Sequence, residues 1–99
     1  MKTVLIEYTL SDDANVPDVE AEIAAFVAGI RALDAGIRYA SHKRRGDDRA
    51  YAHIAYIPDD AALEKLQSAE FFKKFVGYLN GKCAKAPGAT WLDTVAITE

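Results

Sequence analysis

His53, in the middle of the stretch YAHIAYI (Tyr51–Ile57), is the side chain in this sequence best suited to acid–base chemistry. An imidazole titrates close to neutral pH, so it can accept or release a proton under physiological conditions. The stretch alternates like a β-strand, and most of its residues are apolar or aromatic. Two interpretations stay open: His53 is a structural histidine satisfied by a partner, or it is a working group in a pocket.

Three polar side chains on other predicted strands, Glu7, Arg38 and His42, can lie near His53. A Glu7–His53 pair would satisfy two polar groups that are costly to bury alone. The same pair would suit a concave site, in which a few polar groups stand in an apolar frame. The residue types therefore leave both interpretations open, and the decision depends on the elements that position them.

The elements follow the order β-α-β-β-α-β. Pro17 suits the first turn of a long helix, and Gly36 is a natural stop for it. Asp59 or Asp60 can cap the second helical region, which Ser68 is expected to interrupt by capping its later half. The predicted strands cover 3–10, 36–44, 49–57 and 90–98, and the predicted helices run from Pro17 to the stop at Gly36, over 62–67 and over 69–82.

This order predicts an α+β, ferredoxin-like fold. Right-handed crossovers give a four-stranded antiparallel sheet in spatial order 4-1-3-2, with the helices on one face. We expect residues 1–99 to form a single domain. The other sheet face is left open, and something must cover it if it is apolar.

The helix-packed face of each strand should be its more apolar face, which places Glu7 and His53 together on the open face. The last strand can present either Leu92 or Trp91 there, because a one-residue slip exchanges the two faces. The expected core-facing residues are Val4, Ile6, Tyr8, Ala52, Ile54 and Tyr56, and the expected open-facing residues are Leu5, Glu7, Thr9, Arg38, Ala40, His42, Tyr51, His53, Ala55 and Ile57.

Composition excludes some partners and compartments. A net charge of −3 argues against nucleic acid, and the basic run His42–Arg49 is diluted by two aspartates, as in a solvated hairpin tip. Cys83 is the only cysteine, so neither a disulfide within the chain nor a Cys/His metal site is expected. With no signal peptide and no apolar run near the roughly 20 residues of a membrane span, we expect a cytoplasmic protein away from membranes.

The segment YAHIAYIPDDAALEKLQSAEFFKKF (51–75) resembles the dimeric α+β barrel superfamily, especially antibiotic biosynthesis monooxygenase-like domains. In these domains a strand that ends in an aromatic residue leads through an acidic turn to ALxxL, a small polar residue and FxxF. The element order and lengths are similar over nearly the whole chain. The matching residues here are Tyr56, Asp59, Asp60, Ala62 to Leu66, Ser68, Phe72 and Phe75.

The resemblance implies a homodimer in which two sheets pack face to face, with a pocket between each sheet and its helices. Leu5, Ala40, Ala55 and Ile57 would then be buried against the partner. Haem-degrading relatives combine an asparagine, a tryptophan and a histidine, and Trp91 on the last strand is out of position for that role. We therefore expect no cofactor and no metal.

The resemblance also implies a chemistry, in which an electron-rich phenol or quinol reacts directly with oxygen. In this hypothesis His53 removes a proton, Glu7 orients the imidazole, and Arg38 steadies the anion. The candidate catalytic residues are thus His53, Glu7 and Arg38, and the candidate substrate-binding residues are Tyr39, Tyr51, His42 and Phe72.

The alternative is a non-catalytic dimeric domain that binds a small apolar molecule or serves in a stress response. None of the candidate residues matches a diagnostic catalytic motif, which favours this alternative. Replacement of His53 by alanine separates the two hypotheses, since it should abolish turnover in an enzyme and should change stability or ligand affinity in a binding domain.

Overall fold

The sheet has four antiparallel strands, and the helices pack on one of its faces. A computed structural model describes residues 1–98, and the strand order β2-β3-β1-β4 is the one predicted. The ferredoxin-like α+β fold is therefore confirmed, with the second helical region divided in two. The elements are β1 (Lys2–Leu10), α1 (Val16–Leu33), β2 (Arg38–Lys43), β3 (Ala50–Ile57), α2 (Asp60–Gln67), α3 (Glu70–Asn80) and β4 (Cys83–Asp93).

Helix α1 begins and ends at local sequence signals. The Asn15 side chain accepts a hydrogen bond from the Asp18 N–H, and Pro17 lies in the first turn. The helix ends before the predicted stop, because Asp34 already adopts the left-handed conformation with φ of 52°. Gly36, with φ of 75°, supplies a second left-handed residue in the turn to β2.

The second helical region is interrupted where it was predicted to be. The Asp59 side chain caps α2 by accepting from the Ala62 N–H at 2.8 Å. Ser68, however, ends α2 instead of capping α3, since its hydroxyl donates to the Lys65 carbonyl. The N-cap of α3 is Ala69, which provides no side-chain hydrogen bond.

Strand β4 begins at Cys83, seven residues before the predicted start at Thr90. The expected loop AKAPGA is part of this strand. An edge strand tolerates Pro87 because one side of its backbone needs no partner, and the register shifts opposite Glu7–Leu10 mark a bulge-like irregularity there. Because its composition is typical of a loop, the first seven of the eleven residues of β4 were not predicted as strand.

The predicted face assignment of β3 is wrong. Ile6 pairs with His53 and Val4 pairs with Ala55, and directly opposite residues in a ladder point to the same face. His53 is only 1 % exposed and lies under the helices. The core-facing residues of β3 are Tyr51, His53, Ala55 and Ile57, whereas Ala52, Ile54 and Tyr56 face the open side.

This correction separates Glu7 from His53. Glu7 pairs with Ala52 and is exposed on the open face, so the predicted Glu7–His53 pair does not form. Ala55 and Ile57 cannot belong to an open-face interface, because each is 1 % exposed in the core. The predicted placement of Leu5 and Ala40 on the open face agrees with the register.

The register of β4 settles the alternative left open by the sequence. Val4 pairs with Trp91, and Thr3 pairs with Leu92. Trp91 therefore lies on the helix-packed face, and Leu92 lies on the open face. None of the helices in residues 1–98 combines the length and apolar character that crossing a membrane requires.

Candidate functional site

A cavity of about 310 Å³ lies between the helix-packed face of the sheet and the helices. Its walls are almost entirely apolar or aromatic. Its polar side chains include the buried His53 and the partly buried Tyr39. Such a cavity suits a small, largely apolar ligand held in orientation by few polar contacts. The lining residues are Val4, Ile6, Phe26, Tyr39, His53, Ala55, Ile57, Leu63, Leu66, Gln67, Phe72, Phe75, Val76, Leu79, Asn80, Pro87, Ala89 and Trp91.

Both nitrogens of His53 are hydrogen-bonded to tyrosines. Tyr8 Oη lies 2.8 Å from Nε2, and Tyr39 Oη lies 2.6 Å from Nδ1. Strands β1, β3 and β2 each contribute one member, because neighbouring positions of adjacent strands share the helix-packed face. We call these three residues the Tyr8–His53–Tyr39 network.

Burial keeps the network uncharged at neutral pH. It lowers the pKa of His53 from 6.5 to about 4, with a smaller contribution from the charge of His42. Burial also raises the pKa of both Tyr8 and Tyr39. The imidazole is therefore neutral and both phenols are protonated under ordinary conditions.

This state limits the chemistry available to His53. A neutral imidazole has one N–H and one lone pair, and both are already used by tyrosines. An imidazole with a pKa of about 4 is a weak base near neutral pH. The network can position a hydroxyl at the cavity wall and donate a hydrogen bond through it, but it does not present a free imidazole to a substrate.

Aromatic packing holds the cavity wall in place. The rings of Phe26 and Phe75 are stacked with centroids 4.3 Å apart, and the ring of Tyr39 meets Phe26 edge-on at 5.3 Å. Phe72 lines the same cavity as His53 and Tyr39. Of the predicted site residues, the structure thus brings together His53, Tyr39 and Phe72.

Tyr51 lies behind the network instead of lining the cavity. Its ring stacks on Tyr8 at a centroid distance of 5.5 Å, and its hydroxyl donates to Glu20 Oε2 at 2.7 Å. Burial, together with the hydrogen bond to Glu20, raises the pKa of Tyr51. Lys43 Nζ pairs with the same Glu20 oxygen at 2.6 Å, so this polar cluster anchors α1 to the sheet.

The remaining predicted site residues, Glu7, Arg38 and His42, lie away from this cavity. Their strand positions place all three on the open face of the sheet. Arg38 lines a separate depression beside β2, and Glu7 and His42 line another near the hairpin. The predicted grouping of these residues with His53 was wrong because it depended on the face assignment of β3.

The sequence predicts Tyr8 only as a core-facing residue, with no role in the site. The available signal was its phenol hydroxyl on an otherwise apolar strand face, since a buried hydroxyl requires a hydrogen-bond partner. Tyr8 is 2 % exposed, and His53 supplies that partner. Within residues 1–98, no group of three or more histidine, cysteine, aspartate or glutamate side chains is arranged to hold a metal ion.

No protein-family model and no curated protein sequence matches the chain. Solved structures do match. PA3566 from Pseudomonas aeruginosa is 28 % identical, with 96 % of this chain and 94 % of that chain covered and a TM-score of 0.81.

Two further structures match over similar lengths. One, described as an antibiotic biosynthesis monooxygenase, is 21 % identical, with 97 % of this chain and 100 % of that chain covered and a TM-score of 0.87. The other is a mutant of SnoaB, a cofactor-independent oxygenase from Streptomyces nogalater, at 16 % identity, 97 % and 94 % coverage and a TM-score of 0.82. The chain therefore has the ferredoxin-like α+β fold of the antibiotic biosynthesis monooxygenase-like proteins.

Proposed function

We propose that this protein is a cofactor-free monooxygenase that binds a small phenolic or quinol substrate in the cavity between sheet and helices. The observation that carries the proposal is the neutral Tyr8–His53–Tyr39 network in the wall of an apolar cavity of about 310 Å³. The fold shared with SnoaB, described as a cofactor-independent oxygenase, supports it further. The fold alone would not select this activity.

The proposed substrate lies flat among the aromatic side chains Phe72, Phe75 and Trp91 of the wall. Its oxygen approaches the hydroxyl of Tyr39. A hydrogen bond from that hydroxyl stabilises the phenolate or enolate form of the substrate, and the apolar surroundings strengthen the interaction. Binding thus favours the anionic form of the substrate, and the proton that the substrate loses passes to water.

The reaction itself takes place between the bound anion and oxygen. The anion gives one electron to O₂, and the two resulting radicals combine to form a carbon–oxygen bond. The peroxide then takes up a proton, and the hydroperoxide loses water to leave a carbonyl. Overall, a CH₂ group of the substrate and O₂ are converted to C=O and H₂O. The substrate is therefore the reductant, and its own carbon is the atom that is oxidised.

Oxygen uptake by the purified protein tests this proposal. The panel comprises quinols, anthrone-type phenols, and haem with a reductant. We expect uptake with a quinol or anthrone that requires the protein and falls at least tenfold in Tyr39→Phe, because that variant loses the proposed donor. Tyr78→Phe, which removes a hydroxyl outside the cavity, is the matched control and should keep its activity.

A second candidate function is ligand binding without catalysis. The observation that favours it is the complete pairing of His53, whose two nitrogens are satisfied before any ligand enters. Bound aromatic ligands with no oxygen uptake on any member of the panel would support this function and remove the oxygenase.

We also propose that the protein is a cytoplasmic homodimer joined through the open faces of its sheets. The corrected register places Leu5, Ile54, Tyr56 and Leu92 on that face, and Leu92 is 47 % exposed in the single chain. A second copy would cover these side chains and remove apolar surface from water.

A further inference from the structure

We propose that the hydroxyl of Tyr39 is the hydrogen-bond donor to the ligand and that Tyr8 fixes this direction through His53. In this arrangement Tyr8 donates to Nε2, Nδ1–H donates to Tyr39, and the Tyr39 proton points to the cavity. The site therefore selects aromatic ligands that carry an acceptor oxygen over the matching hydrocarbons. This inference rests on the proposed function, because it takes the same cavity as the ligand site.

The count of protons limits the network to two arrangements. Two phenols and one neutral imidazole carry three protons, and two hydrogen bonds join them. One proton is left over at one end of the chain. It belongs either to Tyr8, if Tyr39 donates to Nδ1, or to Tyr39, if Tyr8 donates to Nε2.

Burial chooses between these arrangements. Tyr8 is 2 % exposed, does not line the cavity, and has His53 as the hydrogen-bond partner of its hydroxyl among the described residues. A surplus proton on Tyr8 would be a buried donor without an acceptor, which costs about 1–3 kcal/mol. Tyr39 lines the cavity and is only partly buried, so its surplus proton can reach a ligand or water.

The rest of the cavity leaves Tyr39 as the donor that orients a ligand. His53 has both nitrogens occupied. The other lining residues with polar side-chain atoms, Gln67, Asn80 and Trp91 with its indole N–H, are all exposed to solvent. A ligand buried among the aromatic rings thus meets one directed hydroxyl, and a carbonyl or phenolate oxygen is the group that satisfies it.

The first test measures the tautomer of His53 in ¹⁵N-labelled protein by long-range ¹H–¹⁵N correlation, which distinguishes a protonated Nδ1 from a protonated Nε2. We expect the Nδ1–H form in the wild type. In Tyr8→Phe neither tautomer leaves a surplus phenol proton in the core, so we expect the preference to weaken to a mixture. A wild-type Nε2–H tautomer would overturn the inference.

The second test compares 1-indanone with indane, which have the same ring frame with and without a carbonyl. Binding is followed through the indole N–H signal of Trp91, the only tryptophan and a residue of the cavity wall. We expect the preference for 1-indanone to fall about three- to tenfold in Tyr39→Phe, the amount that one net hydrogen bond contributes. Tyr78→Phe, the matched control, should keep the wild-type preference.

Two other outcomes of the second test would overturn the inference: an unchanged preference in Tyr39→Phe, or no binding of either compound to the wild type. Neither test measures turnover. If the predicted tautomer and preference are found without oxygen uptake, the oxygenase is refuted and this inference stands. If oxygen uptake is found together with the Nε2–H tautomer, this inference is refuted and the oxygenase stands.

Discussion

At the scale of single residues, His53 is both a hydrogen-bonded core histidine and a residue of the cavity wall. It points into the core, because the hydroxyls of Tyr8 and Tyr39 satisfy both ring nitrogens there. A histidine paired in this way can be buried at little hydrogen-bonding cost, although its charged form is strongly disfavoured. The same residue thus has a structural role in the core and a place in the cavity wall.

Burial of His53 predicts that stability depends on pH. Its pKa is about 4 when folded and near 6.5 when unfolded, so between these values the unfolded chain binds a proton that the folded chain does not. Stability is therefore complete above pH 6.5 and falls as the pH drops through this window, by roughly 3 kcal/mol in total.

Urea denaturation from pH 7 down to pH 4 measures this loss. His53→Gln should show a much shallower slope than the wild type over that range, because the group that titrates has been removed. His42→Gln is the control, since His42 is exposed and its replacement should leave most of the slope in place. Equal slopes in the wild type and His53→Gln would contradict the prediction.

At the scale of elements, the contact between α1 and α3 depends on a glycine. A Cβ at Gly29 would lie 2.8 Å from the ring of Phe71, which is closer than carbon atoms approach. The absence of a side chain at Gly29 therefore lets the Phe71 ring pack directly on α1. Gly77 in α3 has no atom within 4 Å of the equivalent position.

Replacement by alanine should have opposite effects on stability at Gly29 and at Gly77. Gly29→Ala should destabilise the protein by about 1–2 kcal/mol, because the overlap with Phe71 outweighs the gain in helix propensity. Gly77→Ala should stabilise it by about 0.5–1 kcal/mol through propensity alone. Thermal and urea denaturation of both variants provide the measurement, and a stabilised Gly29→Ala would show that α1 and α3 are less tightly packed than this contact requires.

At the scale of the whole molecule, the open sheet face is the surface through which we propose that two copies pack. Ile54 lies near the centre of that face and is half-buried in the single chain. Ile54→Asp should convert a dimer to a folded monomer, because an unpaired carboxylate would be buried at the interface. Sedimentation velocity measures the change, and circular dichroism checks that the protomer stays folded.

A matched control for this prediction is Ala28→Asp, which adds the same charge on the exposed surface of α1. It should leave the dimer intact. Ala55→Asp is unsuitable for this purpose, since Ala55 is 1 % exposed in the core and its replacement would unfold the protomer itself. A dimeric Ile54→Asp protein would place the interface elsewhere.

Local sequence patterns were enough to predict the order and type of the elements, the strand order and the fold class. These follow from local signals such as the Asn15–Pro17 helix start and the Asp59 cap, and from the handedness of crossovers. The start of β4 could not be predicted from such signals. Pro87 and Gly88 indicate a loop unless it is known that the strand lies at the edge of the sheet.

The buried face of β3, in contrast, could be identified only from the assembled sheet. Both faces of that strand carry large apolar or aromatic side chains, so hydrophobic alternation does not choose between them. The choice depends on Tyr8 and Tyr39, which come from other strands and meet His53 only after the sheet has formed. The candidate site was predicted on the open face but lies on the helix-packed face, because the cost of burying a polar residue depends on partners distant in sequence.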